Sequence, residues 1–131
     1  MVDHVSIPVA DVGRAARFYD VVLATLGYAR LKEQPGAIGY GPPARAAPVF
    51  WILARAGDGV ATPGPGLHLS FMAPDRASVE AFHRATLACD GTDAGAPGVR
   101  PQYTMPFYGA FAIDLDGFKI EAVCRTAERP A

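Results

Sequence analysis

The chain has few cysteines, and the two that it has are far apart. Cys89 and Cys124 are the only cysteines among 131 residues, and they do not form a CxxC pair. Two cysteines are too few for a disulfide framework, and this spacing is not that of a zinc or redox motif. We therefore expect two free thiols in a reducing compartment and a fold that depends on its own hydrophobic core.

The chain also lacks an excess of charge of either sign. Twelve Lys or Arg residues face thirteen Asp or Glu residues, the net charge is -1, and no basic run is present. Nucleic-acid binding requires a concentrated positive surface. These features predict a small-molecule partner and no nucleic acid.

Long apolar runs are missing as well. A membrane-spanning helix needs roughly 18 to 20 consecutive apolar residues, and no stretch of this sequence approaches that length. The opening segment, MVDHVSIPVAD, has an acidic residue where a signal peptide needs positive charge. We expect a cytoplasmic protein that makes no membrane contact.

What the chain does contain is an internal repeat. Two stretches, HVSIPVADVGRAARFYDVVLATLGY from His4 and HLSFMAPDRASVEAFHRATLACDGT from His68, align without gaps. Each begins as an apolar strand and continues as an amphipathic helix, so the shared residues have matching physical roles. The identical pairs are His4/His68, Ser6/Ser70, Asp11/Asp75, Phe18/Phe82, Leu23/Leu87, Ala24/Ala88 and Gly27/Gly91.

The rest of the pattern predicts two β-α-β-β-β modules. In the first, Asp11 caps a helix over about 12–26 that Gly27 ends; in the second, Asp75 caps a helix to about 88 that Gly91 ends. The segment GTDAGAPGVRP reads as a loop with at most one short irregular strand, and DLDG reads as the turn of a hairpin. The predicted strands are 2–9, 28–32, 37–40, 48–54, 67–72, 107–113 and 118–124.

The predicted architecture is α+β, with curved mixed sheets that form a metal-binding cleft. At this length one core is expected, so 1–131 is interpreted as a single domain. Module 1 covers about 1–55, a Gly- and Pro-rich linker covers 56–66, and module 2 covers about 67–125. The register of the final hairpin stays open, because a glycine bulge would shift the pairing by one residue.

Strand alternation places the candidate metal ligands on one kind of face. His4 and Ser6 alternate with apolar residues that should face the first helix, and His68 and Ser70 do the same in the second module. Glu121 points away from the helix if its neighbours Ile120 and Ala122 point toward it. His4, His68 and Glu121 therefore form the predicted metal site.

Two imidazoles and one carboxylate leave open positions on a divalent metal such as Fe, Mn, Ni, Co or Zn. The absence of cysteine from this set argues against a closed structural zinc site. Some surrounding residues are interpreted either as substrate contacts or as ordinary core and wall residues. The substrate-binding candidates are Ser6, Trp51, Ser70, Tyr103, Tyr108 and Phe111.

A few other polar residues have both a functional and a structural interpretation. Tyr103 and Tyr108 are possible proton donors near a metal, or aromatic wall residues. His83 is interpreted as a helix-packing residue. Scattered arginines are usually solvated, but some could attract an anionic substrate. These are Arg45, Arg55 and Arg100.

The segments HVSIPVAD, GLHLSF and DLDGFKIEAV, in this order of elements, resemble the vicinal oxygen chelate superfamily. That superfamily includes glyoxalase I, methylmalonyl-CoA epimerase, extradiol dioxygenases, fosfomycin-resistance thiol transferases and bleomycin-binding proteins. The resemblance covers roughly residues 2–125 and implies metal ligands at His4, His68 and Glu121. It also implies a homodimer, and a catalytic role for Glu121 as a metal ligand that takes a proton.

The resemblance leaves the reaction open. Glyoxalase I and the epimerase usually have a fourth ligand in the fourth strand, where this chain reads VFWILA. The three-ligand pattern looks more like that of extradiol dioxygenases and fosfomycin-resistance enzymes. We expect a glyoxalase-like metal-dependent enzyme with lyase, isomerase or ring-cleaving dioxygenase chemistry; the alternative is an antibiotic-sequestering protein of the bleomycin-resistance type.

Overall fold

The structure is a computed structural model that describes residues 1–56, 63–103 and 106–126. It divides into two compact units, Met1–Pro63 and Gly64–Ala131. Within the described residues each unit has one four-stranded mixed sheet and one helix. The predicted pair of β-α-β-β-β modules is confirmed. The single-domain interpretation stays a prediction, and residues 57–62 of its linker lie outside the described residues.

The first unit builds its sheet in the order β1-β4-β3-β2. β1 runs parallel to β4, and the other neighbours are antiparallel. The elements are β1 (Val5–Val9), α1 (Val12–Ala24), β2 (Ala29–Gln34), β3 (Ala37–Gly41) and β4 (Phe50–Ala54).

The second unit repeats this topology with the order β5-β8-β7-β6. β5 runs parallel to β8, as β1 does to β4. The elements are β5 (His68–Met72), α2 (Arg76–Ala88), β6 (Thr92–Val99), β7 (Tyr108–Ile113) and β8 (Lys119–Cys124).

Both helices begin at the predicted aspartates. Asp11 Oδ1 accepts the Arg14 N–H at 3.0 Å, and Asp75 Oδ1 accepts the Ser78 N–H at 2.7 Å. These bonds satisfy amide groups that have no partner inside the helix. Within the described part of the chain, neither 13-residue helix nor any other has the length and apolar character required to cross a bilayer.

The two helices end differently. Gly27 has φ 84° after α1, as its glycine predicts. After α2 the left-handed residue is Asp90, with φ 70°, and not the predicted Gly91. The Gly91 N–H instead donates to the Thr86 carbonyl at 2.8 Å, so this glycine is one position beyond the turn. Aspartate tolerates the left-handed region better than most residues, which allows this arrangement.

The predicted loop at GTDAGAPGVRP is mostly a strand. β6 covers eight residues and pairs with β7, with shifts of register around Gly95. β6 lies at the edge of its sheet, where irregular pairing, glycine and proline are tolerated. The composition of β6 did not indicate a strand, because edge strands need neither strict alternation of apolar and polar residues nor an apolar face.

The final hairpin has a defined register. Asp114 Oδ1 accepts the N–H groups of Asp116 and Phe118 at 2.9 and 2.8 Å, and Gly117 has φ 91°. Across the hairpin, Phe111 pairs with Glu121. Phe111 and Glu121 therefore lie on the same face of the sheet.

Each unit packs its helix on one face of its sheet. In the first unit the Tyr19 ring on α1 lies 4.9 Å, between centroids, from the Phe50 ring on β4. In the second unit Phe82 on α2 and Ile120 on β8 have no exposed surface. The opposite face of each sheet is left for a site.

Candidate functional site

Glu121 is the most unusual residue of the second sheet. Its side chain is 3% exposed, and its Oε1 atom lies 3.5 Å from Nε2 of His68. The parallel pairing of β5 with β8 produces this approach, because it sets Ser70 directly opposite Glu121 and His68 one pleat away. The predicted ligands His68 and Glu121 are therefore neighbours.

The other carboxylate oxygen of Glu121 has no hydrogen-bond partner among the described residues. Gly109, on the adjacent strand, leaves room for it: a Cβ atom at that position would lie 3.2 Å from Oε2. A buried polar atom without a partner is costly and rare in native proteins. This oxygen is therefore a position at which a water molecule, a metal ion or a substrate group can bind.

The surroundings of Glu121 act on its pKa in both directions. Burial raises the pKa of the carboxyl above its ordinary value of 4.5. The Ser70 hydroxyl, the His68 imidazole and the charges of Lys119 and Arg125 oppose this rise. An added cation would act in the same sense as these groups and favour the carboxylate.

The raised pKa of Glu121 predicts a pH-dependent loss of stability in metal-free protein. Folding favours the protonated acid, so this stabilising contribution is present below the ordinary pKa and lost as pH rises through the higher folded pKa. The Glu121→Gln variant has no such loss. Its free energy of unfolding, minus that of the wild type, should therefore increase from about pH 4 to pH 7. Urea denaturation in the presence of chelator measures this difference, and a pH-independent difference would contradict it.

A cavity of about 320 Å³ opens beside Glu121. Two pairs of rings line it: the centroids of Tyr103 and Phe107 are 4.9 Å apart, and those of His68 and Phe111 are 6.2 Å apart. This volume suits a small molecule. The lining residues are His68, Ser70, Tyr103, Phe107, Phe111, Glu121 and Arg125.

Cationic side chains surround the same aromatic wall. Lys119 Nζ lies 4.8 Å from the centroid of Phe111, and Arg125 Cζ lies 5.0 Å from that of Phe107. Arg100, which directly follows β6, has its Cζ atom 5.7 Å from the centroid of Phe111 on β7. Arg100 was predictable as a candidate anchor for an anion, whereas nothing in the sequence singled out Lys119 or Arg125, although both follow the alternation of Glu121 along the chain.

The first unit has its own cavity of about 360 Å³. His4 and Ser6, which were predicted to share a face, both line it. The other lining residues are Gln34, Ala37, Trp51 and Leu53. No group of three His, Cys, Asp or Glu residues suited to a metal occurs among the residues that the structure describes. The joining of His4 to His68 and Glu121 therefore stays a prediction.

His4 has a defined hydrogen bond in this first unit. Its Nδ1 atom lies 2.7 Å from Asp3 Oδ2, and the other Asp3 oxygen accepts from Arg45 Nη2 at 3.1 Å. A carboxylate at Nδ1 favours the tautomer whose Nε2 atom has a lone pair for a metal. Arg45, a candidate anchor for an anionic substrate, donates to Asp3 in this structure.

The repeat relates Trp51 on β4 to Glu121 on β8. β4 sets Trp51 opposite Ser6, just as β8 sets Glu121 opposite Ser70. Trp51 is therefore the repeat equivalent of Glu121. An aromatic side chain occupies in one unit the position that a carboxylate occupies in the other.

Two residues considered at the sequence level lie away from these cavities. Tyr108 does not line either one; its hydroxyl donates to Glu80 Oε1 at 2.9 Å. His83 is buried on α2, and its Nε2 atom lies 2.9 Å from Asp93 Oδ1. His83 is thus a packing residue of the second unit.

Comparisons with known proteins agree on the fold. The chain is 34% identical to a glyoxalase/bleomycin resistance protein from Albidiferax ferrireducens, with a TM-score of 0.82 over 95% of this chain and 98% of that one. A glyoxalase-related enzyme from Fulvimarina pelagi is 18% identical, with a TM-score of 0.72 over 95% of this chain and 87% of that one. A glyoxalase I variant from Zea mays is 24% identical, with a TM-score of 0.70 over 93% of this chain and 45% of that one.

No protein-family model and no curated protein matches the sequence. At 18% and 24% identity, the Fulvimarina and Zea mays structures support the fold alone. The Albidiferax protein shares both the fold and about a third of the residues with this chain, over nearly its full length. The repeated β-α-β-β-β units agree with this likeness. The chain belongs to the glyoxalase/bleomycin resistance protein family of the vicinal oxygen chelate superfamily.

Proposed function

We propose that this protein is a divalent-metal-dependent enzyme that acts on a small molecule with two neighbouring oxygen atoms. The reaction would be of the lyase, isomerase or dioxygenase type. The observation that carries the proposal is the buried Glu121 carboxylate, 3.5 Å from His68 and with one oxygen lacking a partner among the described residues. Catalytic sites are where such costly groups are retained.

The donor chemistry at Glu121 fits a metal. Two donors that bind one divalent ion at about 2.1 Å are separated by roughly 3.0 to 3.4 Å, and the observed separation is 3.5 Å. His68 and Glu121 would hold Fe, Mn, Ni, Co or Zn, with His4 as the proposed third ligand. When bound, the metal supplies fixed positive charge beside a substrate oxygen on which negative charge develops.

Residues of the chain supply the remaining functions. Glu121 is the proposed base, because its carboxylate lines the cavity and one of its oxygens has no partner among the described residues. The Ser70 hydroxyl next to it helps to orient the carboxylate, and the Tyr103 hydroxyl is a candidate hydrogen-bond donor to substrate. Phe107 and Phe111 form the wall that excludes water.

In the first unit we propose that Asp3 orients His4, and that Ser6 and Trp51 contact the substrate. We also propose a homodimer, since the family resemblance implies one and apolar side chains such as Leu67 and Met72 are exposed in this single chain. Either copy could then supply His4.

The second candidate is sequestration of an aromatic ligand without turnover. The aromatic lining of the second unit, Tyr103, Phe107 and Phe111, favours this candidate. The cations Lys119 and Arg125 beside this lining disfavour a cationic drug as the ligand.

Metal removal separates the two candidates. Protein stripped with chelator and then reloaded with each of the five metals should be assayed with a hemithioacetal of methylglyoxal and with catechol under oxygen. The enzyme proposal predicts turnover of one substrate class that is lost on stripping and restored by metal. Tight ligand binding that is indifferent to chelator, without turnover under any loading, would support sequestration instead.

A further inference from the structure

We propose that the cavity of the first unit binds an uncharged aromatic group of the substrate, and that Trp51 determines this specificity. This proposal rests on the proposed function in that it names the substrate class of the same enzyme. Its physical basis is separate, because it depends on the packing of an indole ring and not on a metal.

Trp51 lies on the face of the first sheet that carries His4 and Ser6. It is directly opposite Ser6 in the pairing of β1 with β4, and all three residues line the cavity of about 360 Å³. The Trp51 side chain is half-buried, so part of the indole packs on the sheet and part remains accessible. A molecule in this cavity therefore meets the indole next to the proposed metal ligand His4.

A glycine on the adjacent strand makes room for the indole. Gly39 on β3 pairs with Trp51, and a Cβ atom at Gly39 would lie 3.0 Å from Trp51 Cδ2. The same Cβ atom would lie 2.6 Å from Pro48 Cγ, far inside van der Waals contact. Because Gly39 has no side chain, the indole and the Pro48 ring can both approach the backbone of β3. This packing restricts the orientation of the indole, which lowers the entropy cost of binding a ligand.

The second unit also pairs an aromatic ring with a glycine. Phe111 on β7 is opposite Gly95 on β6, and a Cβ atom at Gly95 would lie 3.0 Å from Phe111 Cδ2. Phe111 is only 8% exposed, whereas Trp51 is half-buried. Of these two rings that pack over a glycine, Trp51 is therefore the more accessible to a ligand.

The lining of the first cavity suits an uncharged group. None of the described residues that line it is Asp, Glu, Lys or Arg. Ala37 and Leu53 are apolar, and Ser6 and Gln34 can form hydrogen bonds with neutral groups. A cation on the indole would find no carboxylate in this lining, whereas a neutral ring gains from stacking on the indole and from burial of its apolar surface.

The test compares two uncharged probes in metal-free protein, so that metal coordination does not contribute. Mandelamide has a phenyl ring beside a hydroxyl and an amide, and hexahydromandelamide is its cyclohexyl counterpart. Ligand-detected NMR titration measures both affinities. We expect mandelamide to bind about twofold to tenfold more tightly, the range by which an aromatic pair exceeds the burial of the same apolar area.

The fluorescence of Trp51 shows where the phenyl ring binds. Trp51 is the only tryptophan of the chain, so a change in tryptophan emission on addition of mandelamide comes from this indole. We expect this change over the concentrations at which NMR detects binding. Emission that mandelamide leaves unaltered while NMR detects binding would overturn the proposal. Emission that varies with protein concentration alone would do so too, because a second copy of the chain would then cover the indole.

Two variants and a matched control then test the role of Trp51. Trp51→Leu keeps an apolar side chain but removes the ring, and it should abolish the preference for mandelamide. Gly39→Ala should reduce this preference, because its Cβ atom must displace the indole or Pro48. Gly64→Ala is the control: a Cβ atom there would meet nothing within 4 Å, so the preference should remain. Thermal unfolding followed by circular dichroism shows that each variant is folded.

Equal binding of the two probes to the wild type, or a preference for mandelamide that persists in Trp51→Leu, would overturn the proposal. Loss of the preference in Tyr103→Leu but not in Trp51→Leu would also overturn it, because the phenyl ring would then bind in the second unit. The metal content of the same samples is measured separately after reloading. Aromatic preference without metal uptake would refute the proposed metal enzyme and retain this inference, whereas metal uptake without aromatic preference would do the reverse.

Discussion

Replacement of Glu121 by glutamine is expected to lower the affinity for divalent metal by more than about a hundredfold and to abolish metal-dependent turnover. Loss of a partner that only orients a metal ligand costs roughly 10- to 100-fold, so loss of a ligand should cost more. Glutamine keeps the shape of the buried side chain but removes its charge. Isothermal titration with Co²⁺ or Zn²⁺ measures the change.

The control for Glu121→Gln is Glu33→Gln. Glu33 is an exposed carboxylate on β2 that pairs with Arg30 at 2.8 Å in the first unit. Its replacement should leave the metal affinity unchanged, because Glu33 lines neither cavity. It should also leave the free energy of unfolding nearly unchanged, because exposed ion pairs contribute little to stability. Wild-type affinity in Glu121→Gln would show that this carboxylate does not bind metal.

Alanine at His68 or at His4 is expected to have a comparable effect on metal affinity. His68 Nε2 lies 3.5 Å from the Glu121 carboxylate, and His4 has its Nδ1 atom against Asp3, which leaves Nε2 for coordination. Each variant should lose at least about a hundredfold in affinity, by the same comparison with residues that only orient a ligand. The measurement is the same titration, followed by assay of turnover.

His83→Ala is the matched control for both histidine variants. His83 is buried on α2 against Asp93, so its loss should reduce stability while the metal affinity remains. Wild-type affinity in His4→Ala alone would leave a pair of ligands, His68 and Glu121, and would remove the first unit from the site. Wild-type affinity in His68→Ala would contradict the whole assignment.

Much of the fold could be predicted because both copies of the repeat contain the same sequence signals for helices and strands. The aspartate caps, the apolar helix stripes and the strand alternation recur in both halves, and the structure has both helices at the expected positions. β6 escaped prediction because it is an edge strand with glycine and proline, for which periodicity is a weak guide. The positive φ angle of Asp90 was not predicted, because glycine adopts this conformation more readily and a glycine, Gly91, follows it directly.

The candidate site was only partly predictable. Alternation along single strands placed His68 and Glu121 on one face, and the pairing of β5 with β8 brings them together. Alternation does not reveal which neighbouring strand lies alongside, so the sequence did not show that Arg125 lines the same cavity as Glu121 and that Lys119 lies against the Phe111 ring. The sequence also could not show that the Tyr108 hydroxyl donates to Glu80, so a substrate contact of Tyr108 stays a prediction.

The asymmetry between the two units bears on the chemistry. Ser6 faces Trp51 in one unit and Ser70 faces Glu121 in the other. The repeat therefore supplies two histidines but only one carboxylate at these equivalent positions. A three-ligand site leaves more open positions on a divalent metal than a four-ligand site would, which suits a substrate that binds through two oxygens.

Elemental analysis of untagged protein tests the central claim most directly. The protein is stripped with chelator, reloaded separately with Fe, Mn, Ni, Co and Zn, and dialysed before its metal content is measured. The proposed His4, His68 and Glu121 site predicts about one metal ion per chain for at least one of these metals, and none after Glu121→Gln. Wild-type protein that retains no metal under any loading would contradict it.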